Sequence, residues 1–406
     1  MTIYAHYWSR GWLIAALAVS QFVSSSLSLA QNLERAGKTS AEKPFVINMT
    51  VRGEYDDNVN TSVDGQEDAA FIINLRPSIT FSKNLDNTQL EFGYTFGFKQ
   101  FFGREGNDEE DFSHTFNGTV SHRFNERFSV QLTERFSFDQ EDPINQGGIA
   151  RRVGGDRIRN NFGVIGSYDW TERFSTLTRY DNEYLEYFDR PASTVNNFLS
   201  HEVSQQLRFQ AMRTTTPFAN YVFKTTDYES IARDRDEHRA LAGIDHYLLE
   251  NWLLSAQAGA EFVFYDNSLF DDTIGPYAYL STQWNYSDKS NVLGSYTFGT
   301  SNTDNSTFSS STSHTLVGTI THYFTNKFSV GAIGRYELAD FDTSQGFAAA
   351  TSDVTEQTIT AGVNARFEFT DYLSADAGYT YTEVISDTNA REYDRNRVYI
   401  GISGSY

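Results

Sequence analysis

The chain has 406 residues, with 53 acidic against 32 basic side chains and no cysteine. A net charge of −21 argues against nucleic acid as a partner, since phosphates are bound through Lys and Arg, and zero cysteines exclude a disulfide scaffold, a thiolate metal site and a cysteine nucleophile. Mean hydropathy is negative, too polar for a bundle of membrane helices, while 33 Phe and 24 Tyr beside six Pro and three Met are the profile of strands.

Arg10 precedes an apolar run over 11–23 that contains no acid, and Ser28-Leu29-Ala30 before Gln31 fits a small-x-small cleavage site. Residues 1–30 therefore read as a secretory signal peptide cleaved near Ala30, and 31–44 as a polar periplasmic tether. The run is too short for a spanning helix, and no cysteine is present to carry a lipid anchor.

From Phe45 the chain alternates. Phe45, Ile47, Met49, Val51 and Tyr55 are separated by Asn48, Thr50, Arg52 and Glu54, a period of two and so a strand with unlike faces. Phe71, Ile73, Leu75, Ile79 and Phe81 form one face of the next strand; Leu90, Phe92, Tyr94, Phe96 and Phe98 form that of the third. The pattern recurs through Leu254 to Phe264 and Ile359 to Phe369, and is weak only over 197–211. Connections alternate too. Short ones are bracketed by aromatics, as in Phe124-Asn125-Glu126-Arg127-Phe128 and Trp170-Thr171-Glu172-Arg173-Phe174. Longer polar ones cover 103–111, 140–157, 267–275 and 302–311. Tight turns on one side and long loops on the other are the signature of an outer-membrane β-barrel. Short turns near 85, 125, 171, 214, 250, 288, 325 and 370 predict 18 strands, with 16 as the other solution, and both termini on the turn side. The expected fold is a transmembrane antiparallel up-and-down β-barrel over 45–406.

Residues 113–130 and 313–330 match at ten of eighteen positions. Each copy places two histidines eight apart on the apolar face, His114 with His122 and His314 with His322. At about 3.3 Å per residue and a tilt near 40° the pair spans roughly 20 Å of an apolar band about 25 Å tall, so the rings belong at the two interfaces and cannot share a metal. A soluble sandwich predicts shorter strands, more Pro and equal turns at both ends. Val398, Ile400, Ile402 and the terminal Tyr406 alternate, and this ending looks like the C-terminal signal read by the outer-membrane assembly machinery, with Gly404 departing from the usual apolar residue.

The opening strand ends in Gly53-Glu54-Tyr55-Asp56-Asp57-Asn58-Val59, and aromatic hairpins follow over nearly all of 45–406. In this the chain resembles the type 2 β-barrel porin family, which is often associated with exopolysaccharide export. The resemblance implies a pore in the outer membrane of a Gram-negative bacterium. It does not name a cargo.

Parity assigns Arg76, Arg123, Arg135, Arg159, Arg179, Arg208, Arg335, Arg366 and Arg397 to the lumen wall. Glu91, Asp169, Asp181, Glu183, Glu261, Glu337, Glu368 and Asp376 join them, a mixed wall without a clear ion preference. Glu134 falls on the lipid-facing parity between Leu132 and Phe136, which predicts either a bulge or a different register. The loop over 140–157 holds Arg151, Arg152 and Arg157, which would form a basic constriction if it folds into the lumen, or a solvated loop if it does not. The acidic runs 108–111 and Asp56-Asp57 offer oxygens for divalent cations shared with lipopolysaccharide, or plain solvated charge. No nucleophile elbow or metal-spaced histidine pair points to an enzyme, and no cofactor is implied. The expected function is a water-filled channel for polar solutes: a passive pore, or the outer-membrane conduit of an exopolysaccharide secretion system. In the second version Tyr277 and Tyr279 offer stacking faces near the outer rim, and a separate periplasmic export partner is required. A structural or adhesive barrel is the alternative.

Overall fold

Strands of alternating polarity satisfy their backbone only through neighbours, and in hydrocarbon the sheet must close on itself because an open edge has no water to bond. The computed structural model describes residues 44–105, 108–139, 156–188, 197–229, 233–268, 270–301, 308–343, 354–387 and 391–406. Eighteen strands appear in chain order. The first six are β1 (Phe45–Asp56), β2 (Ala70–Asn84), β3 (Thr88–Phe102), β4 (Glu110–Arg123), β5 (Phe128–Asp139) and β6 (Arg157–Asp169). Then come β7 (Phe174–Tyr187), β8 (Phe198–Phe209), β9 (Thr215–Tyr228), β10 (Arg235–Leu249), β11 (Trp252–Tyr265) and β12 (Thr273–Trp284). The last six are β13 (Asn291–Ser301), β14 (Phe308–Tyr323), β15 (Phe328–Thr343), β16 (Val354–Thr370), β17 (Leu373–Ser386) and β18 (Tyr393–Ser405). Each pairs antiparallel with its chain neighbours, and β18 pairs with β1 to close the ring. The higher of the two predicted strand counts is the observed one.

The eight short connections fall at 85–87, 124–127, 170–173, 210–214, 250–251, 285–290, 324–327 and 371–372, on the side where β1 begins and β18 ends. Their chemistry is local. Asn125 Oδ1 accepts from the amides of Arg127 (2.9 Å) and Phe128 (3.0 Å), and Thr325 Oγ1 accepts from Lys327 (3.2 Å) and Phe328 (3.0 Å). The flanking rings stack, Phe124 on Phe128 at 4.9 Å and Phe324 on Phe328 at 5.7 Å. Both repeat copies thus build the same hairpin. His122 and His322 each meet the following Phe edge-on at 4.4 Å, whereas His114 and His314, toward the long-loop end, bond Tyr94 and Tyr296 at 2.8 Å.

The long-loop end of the seam is the Tyr-Asp-Asp-Asn segment. Asp56, 1% exposed, pairs with Arg395 of β18, and Asp57 accepts from the amide (2.6 Å) and side chain (2.8 Å) of Asn396. Asn58 donates to the carbonyls of Ser62 (2.8 Å) and Asp394 (2.9 Å) and accepts from the Ser62 amide (2.7 Å). Val59 is buried with Ala70, Ile72 and Phe101. At the other end Tyr406 and Ile47 exchange backbone bonds of 2.8 and 3.0 Å.

The register also decides Glu134. It opposes Gly118 on β4 and Phe162 on β6 with no shift on either side, so neither a bulge nor a slip turns it inward, and the carboxylate stays on the outer face. The weak segment at 197–211 is β8, an ordinary member of the ring. The expectations for 1–30, for the tether up to residue 43, and for Arg151 and Arg152 lie outside the described residues.

Candidate solute pathway

Because side chains alternate, each lumen charge sits one strand from another, and most find a partner across or along the ladder. Arg239 on β10 is the most connected. It donates to Glu261 at 2.6 Å and to Glu237 at 2.8 Å, lies 3.7 Å from Glu202, and places its guanidinium 5.2 Å from the Tyr277 ring centroid. Glu237 also binds Arg235 at 2.8 Å, and the second oxygen of Glu261 accepts from the Thr300 amide at 2.8 Å. Arg208 reaches across β9, its guanidinium 5.5 Å from the Phe218 ring, to bind Asp245 at 2.5 Å, which also accepts from Ser255 at 2.6 Å. Arg52 spans β18 in the same way, binding Asp376 at 2.6 Å with Tyr399 beneath it at 4.4 Å. Arg179 pairs with Asp181, Arg159 with Glu183 at 2.6 Å, and Arg335 with Glu337.

The predicted wall residues lie on this inward parity, but not as one cluster. Arg366 lies 3.9 Å from Glu368 and donates to Ser374 at 3.0 Å. Arg123 is exposed at the short-turn end of β4. Arg76 and Glu91 make no ion pair among the described residues. Arg157, 2% exposed, binds Asp139 at 2.6 Å and so belongs to the wall at the start of β6. Tyr277 and Tyr279 face inward four and six residues from the outer end of β12, deeper than the rim where sequence places them. Tyr277 lies flat against Gly299 on β13, where a Cβ would meet its ring at 2.6 Å.

Sequence reading missed Arg52, Glu202, Arg239 and Asp245, which reach across an intervening strand, as well as Arg235 and Glu237, paired along β10, and Arg395, paired with the adjoining β1. Parity alone would have placed them inside; no local motif marks their partners. It also missed an apolar share of the lumen. Ile165, Leu177, Phe218, Leu241 and Leu253 line a cavity of about 120 Å³ together with Arg179, Arg239 and both tyrosines.

The acidic runs divide. Asp56 and Asp57 are bound into the seam, and Asp111 binds Arg104 at 3.0 Å. At the outer rim Asp64, Glu67 and Asp394 bring carboxylate oxygens within 4.8 Å of one another. The amide of Gly65, 2.7 Å away, holds the exposed Glu67 carboxylate below its usual range.

A closed polar-lined ring with apolar outer walls agrees with the family comparison. The model described as "Putative beta-barrel porin 2" matches residues 44–406. The chain belongs to this family. It is therefore a porin-like β-barrel of the outer membrane. No curated protein matches at a significant level. Among solved structures the β-barrel porin 2 chain is similar to OccK2 (OpdF) of Pseudomonas aeruginosa, with 12% identity and a TM-score of 0.49, covering 89% of this chain and 98% of that one. OpdK of the same organism, solved with vanillate, gives 9%, 0.48, 89% and 99%. OccAB3 of Acinetobacter baumannii gives 8%, 0.47, 89% and 99%.

Proposed function

We propose that this porin-family barrel conducts polar solutes through its lumen. One observation carries the reading: inside a ring whose outward side chains such as Ile47, Val363 and Ile400 are apolar and exposed, the inward ones are arginines and carboxylates held in pairs along the wall. A ring of eighteen strands is also wide enough to leave an aqueous channel between such walls. Reconstitution in a planar bilayer tests it: stable, ohmic single-channel conductance is expected, and a barrel that folds but never conducts overturns it.

The finer reading is passage of a polysaccharide with help from a separate periplasmic partner. Tyr277 and Tyr279 support it, because they bring aromatic surface into the same cavity as Arg179 and Arg239. A sugar stacking on Tyr277 must take the place now held by the Arg239 guanidinium. Soluble oligosaccharides are then expected to block the current, with weaker block in Tyr279→Ala; block that is absent in the wild type ends this version. Arg151 and Arg152 remain a proposed constriction, tested by paired replacement with Ala and measurement of ion selectivity. Outward Ile400 and Ile402 with terminal Tyr406 support recognition of β18 by the assembly machinery, and the exposed belt supports contact with outer-membrane lipid and lipopolysaccharide.

A further inference from the structure

The apolar belt is interrupted on four consecutive strands. Outward positions on β5 to β8 carry Glu134, Asn160, Thr178, Asn182, His201 and Gln205. Thr178 and Gln205 lie four residues above the short-turn aromatics Phe174 and Phe209, and Glu134 lies six above Phe128. At about 3.3 Å per residue and a tilt near 40° these are roughly 10 and 15 Å into a band about 25 Å tall. At the same height elsewhere the outward residues are Ile320, Val363 and Ile400, all exposed and apolar. Val363 stands on β16, nine strands from β7 and so diametrically opposite.

Some of the polar atoms find partners within the sheet. Thr178 donates to Gln205 at 2.7 Å, Tyr180 and His201 share a bond of 2.8 Å, and Asn182 donates to the Ser200 carbonyl at 3.0 Å. Two do not. Glu134, flanked by Leu132, Phe136, Gly118 and Phe162, has no hydrogen bond or ion pair among the described residues, and the buried Asn160 Oδ1 has none either. Acyl chains offer these atoms nothing, and headgroups do not reach mid-depth. Two strands further on, the outer face is nearly flat, with Ala240 and Ala242 on β10 and Ala256, Ala258 and Ala260 on β11.

We propose that this side of the barrel is the interface of a homo-oligomer, its occupant a second copy of this chain. Contacts between membrane proteins are made by small side chains that allow close approach and by polar groups that bond across the gap, and both lie together here. A second copy brings what the first lacks: the patch holds an acceptor, Glu134, and a donor, Asn160 Nδ2, that makes no hydrogen bond among the described residues, so symmetry supplies complementary partners. The area suffices. The seven strands from β5 to β11, about 4.8 Å apart over a band about 25 Å tall, present roughly 840 Å² per protomer, so a specific interface of roughly 1,000 Å² in total needs about three-fifths of each face. The inference rests on the barrel lying in the membrane and not on what it conducts.

Because the chain has no cysteine, single thiols report position cleanly. Thr178→Cys and Val363→Cys would each be treated in outer membranes with a short bis-maleimide. A band at a multiple of the protomer mass from the first and not the second is expected. No band from the first, equal bands from both, or a band at the mass of a different protein overturns the proposal. Native mass spectrometry in detergent gives a second reading. The triple variant Glu134→Leu, Asn182→Leu, Gln205→Leu should lower the oligomer fraction at least tenfold while keeping a heat-modifiable folded band; a wild type that is monomeric, or a variant as oligomeric as wild type, overturns it. Conductance in either result is read separately, so failure of the interface is distinguishable from failure of the channel.

Discussion

Arg239 shows how much a single lumen side chain carries. Glu261 and Glu237 are 1% and 3% exposed, and both bind its guanidinium. Arg239→Met leaves the buried Glu261 without a cation, which costs about 3–5 kcal/mol where one partner of a buried pair is removed, while Glu237 keeps Arg235. The expected readout is a lower temperature for loss of the folded, fast-migrating band on unheated gels. Glu202→Gln, whose contact is 3.7 Å, should leave that temperature nearly unchanged. The tyrosine and histidine pairs of the outer face are smaller terms. Tyr296→Phe removes one shared hydrogen bond to His314 and is expected to cost about 1 kcal/mol, measured by urea unfolding in detergent. The residue-scale lesson is that inward or outward placement was legible, since parity put Arg179, Glu261 and Glu368 on the wall, but pairing was not. Arg208 meets Asp245 and Arg52 meets Asp376 across an intervening strand, and nothing in either local sequence encodes that distance.

At the scale of elements the seam is the point of greatest consequence. Closure of β18 on β1 relies on Asp56, Asp57 and Asn58 gripping Arg395, Asn396 and the Asp394 carbonyl. The one short motif behind the family resemblance is therefore a clasp. Asn58→Ala leaves two carbonyls and an amide without their partner, at about 1–3 kcal/mol for each buried group so stranded. The expected result is faster proteolysis within 57–69 before any global unfolding. Short turns were readable because their chemistry is local: an Asn or Thr oxygen two or three residues before the amides it binds, with rings on either side. Strand β8 was hard to read for an opposite reason. Its outward Leu199, Val203 and Leu207 are interleaved with His201 and Gln205, while the adjoining β7 turns Leu177 and Leu185 inward, so polarity is partly exchanged between the two faces.

For the whole molecule, pairing matters more than net charge. A wall whose arginines and carboxylates lie side by side presents dipoles, so the open channel is expected to discriminate weakly between small cations and anions. Asp376→Asn leaves Arg52 with a bare positive charge facing the lumen and should move the reversal potential toward anions. With a screening length of about 8 Å at physiological salt, the shift should grow as salt is lowered. An unchanged reversal potential at low salt would mean that solutes do not pass this part of the wall.

The strand count, the sidedness of the turns and the wet and greasy faces follow from an odd and even alternation that each strand carries by itself, because the pleat gives every side chain only two directions; that Glu134 stays outward took the observed register. Which charge meets which and where the Tyr277 ring rests were decided by the register between strands, and the pairs Arg52–Asp376 and Asp56–Arg395 by the closure of β18 on β1. Those relations join residues on different strands, and proximity set by pairing across a sheet leaves no period in a sequence.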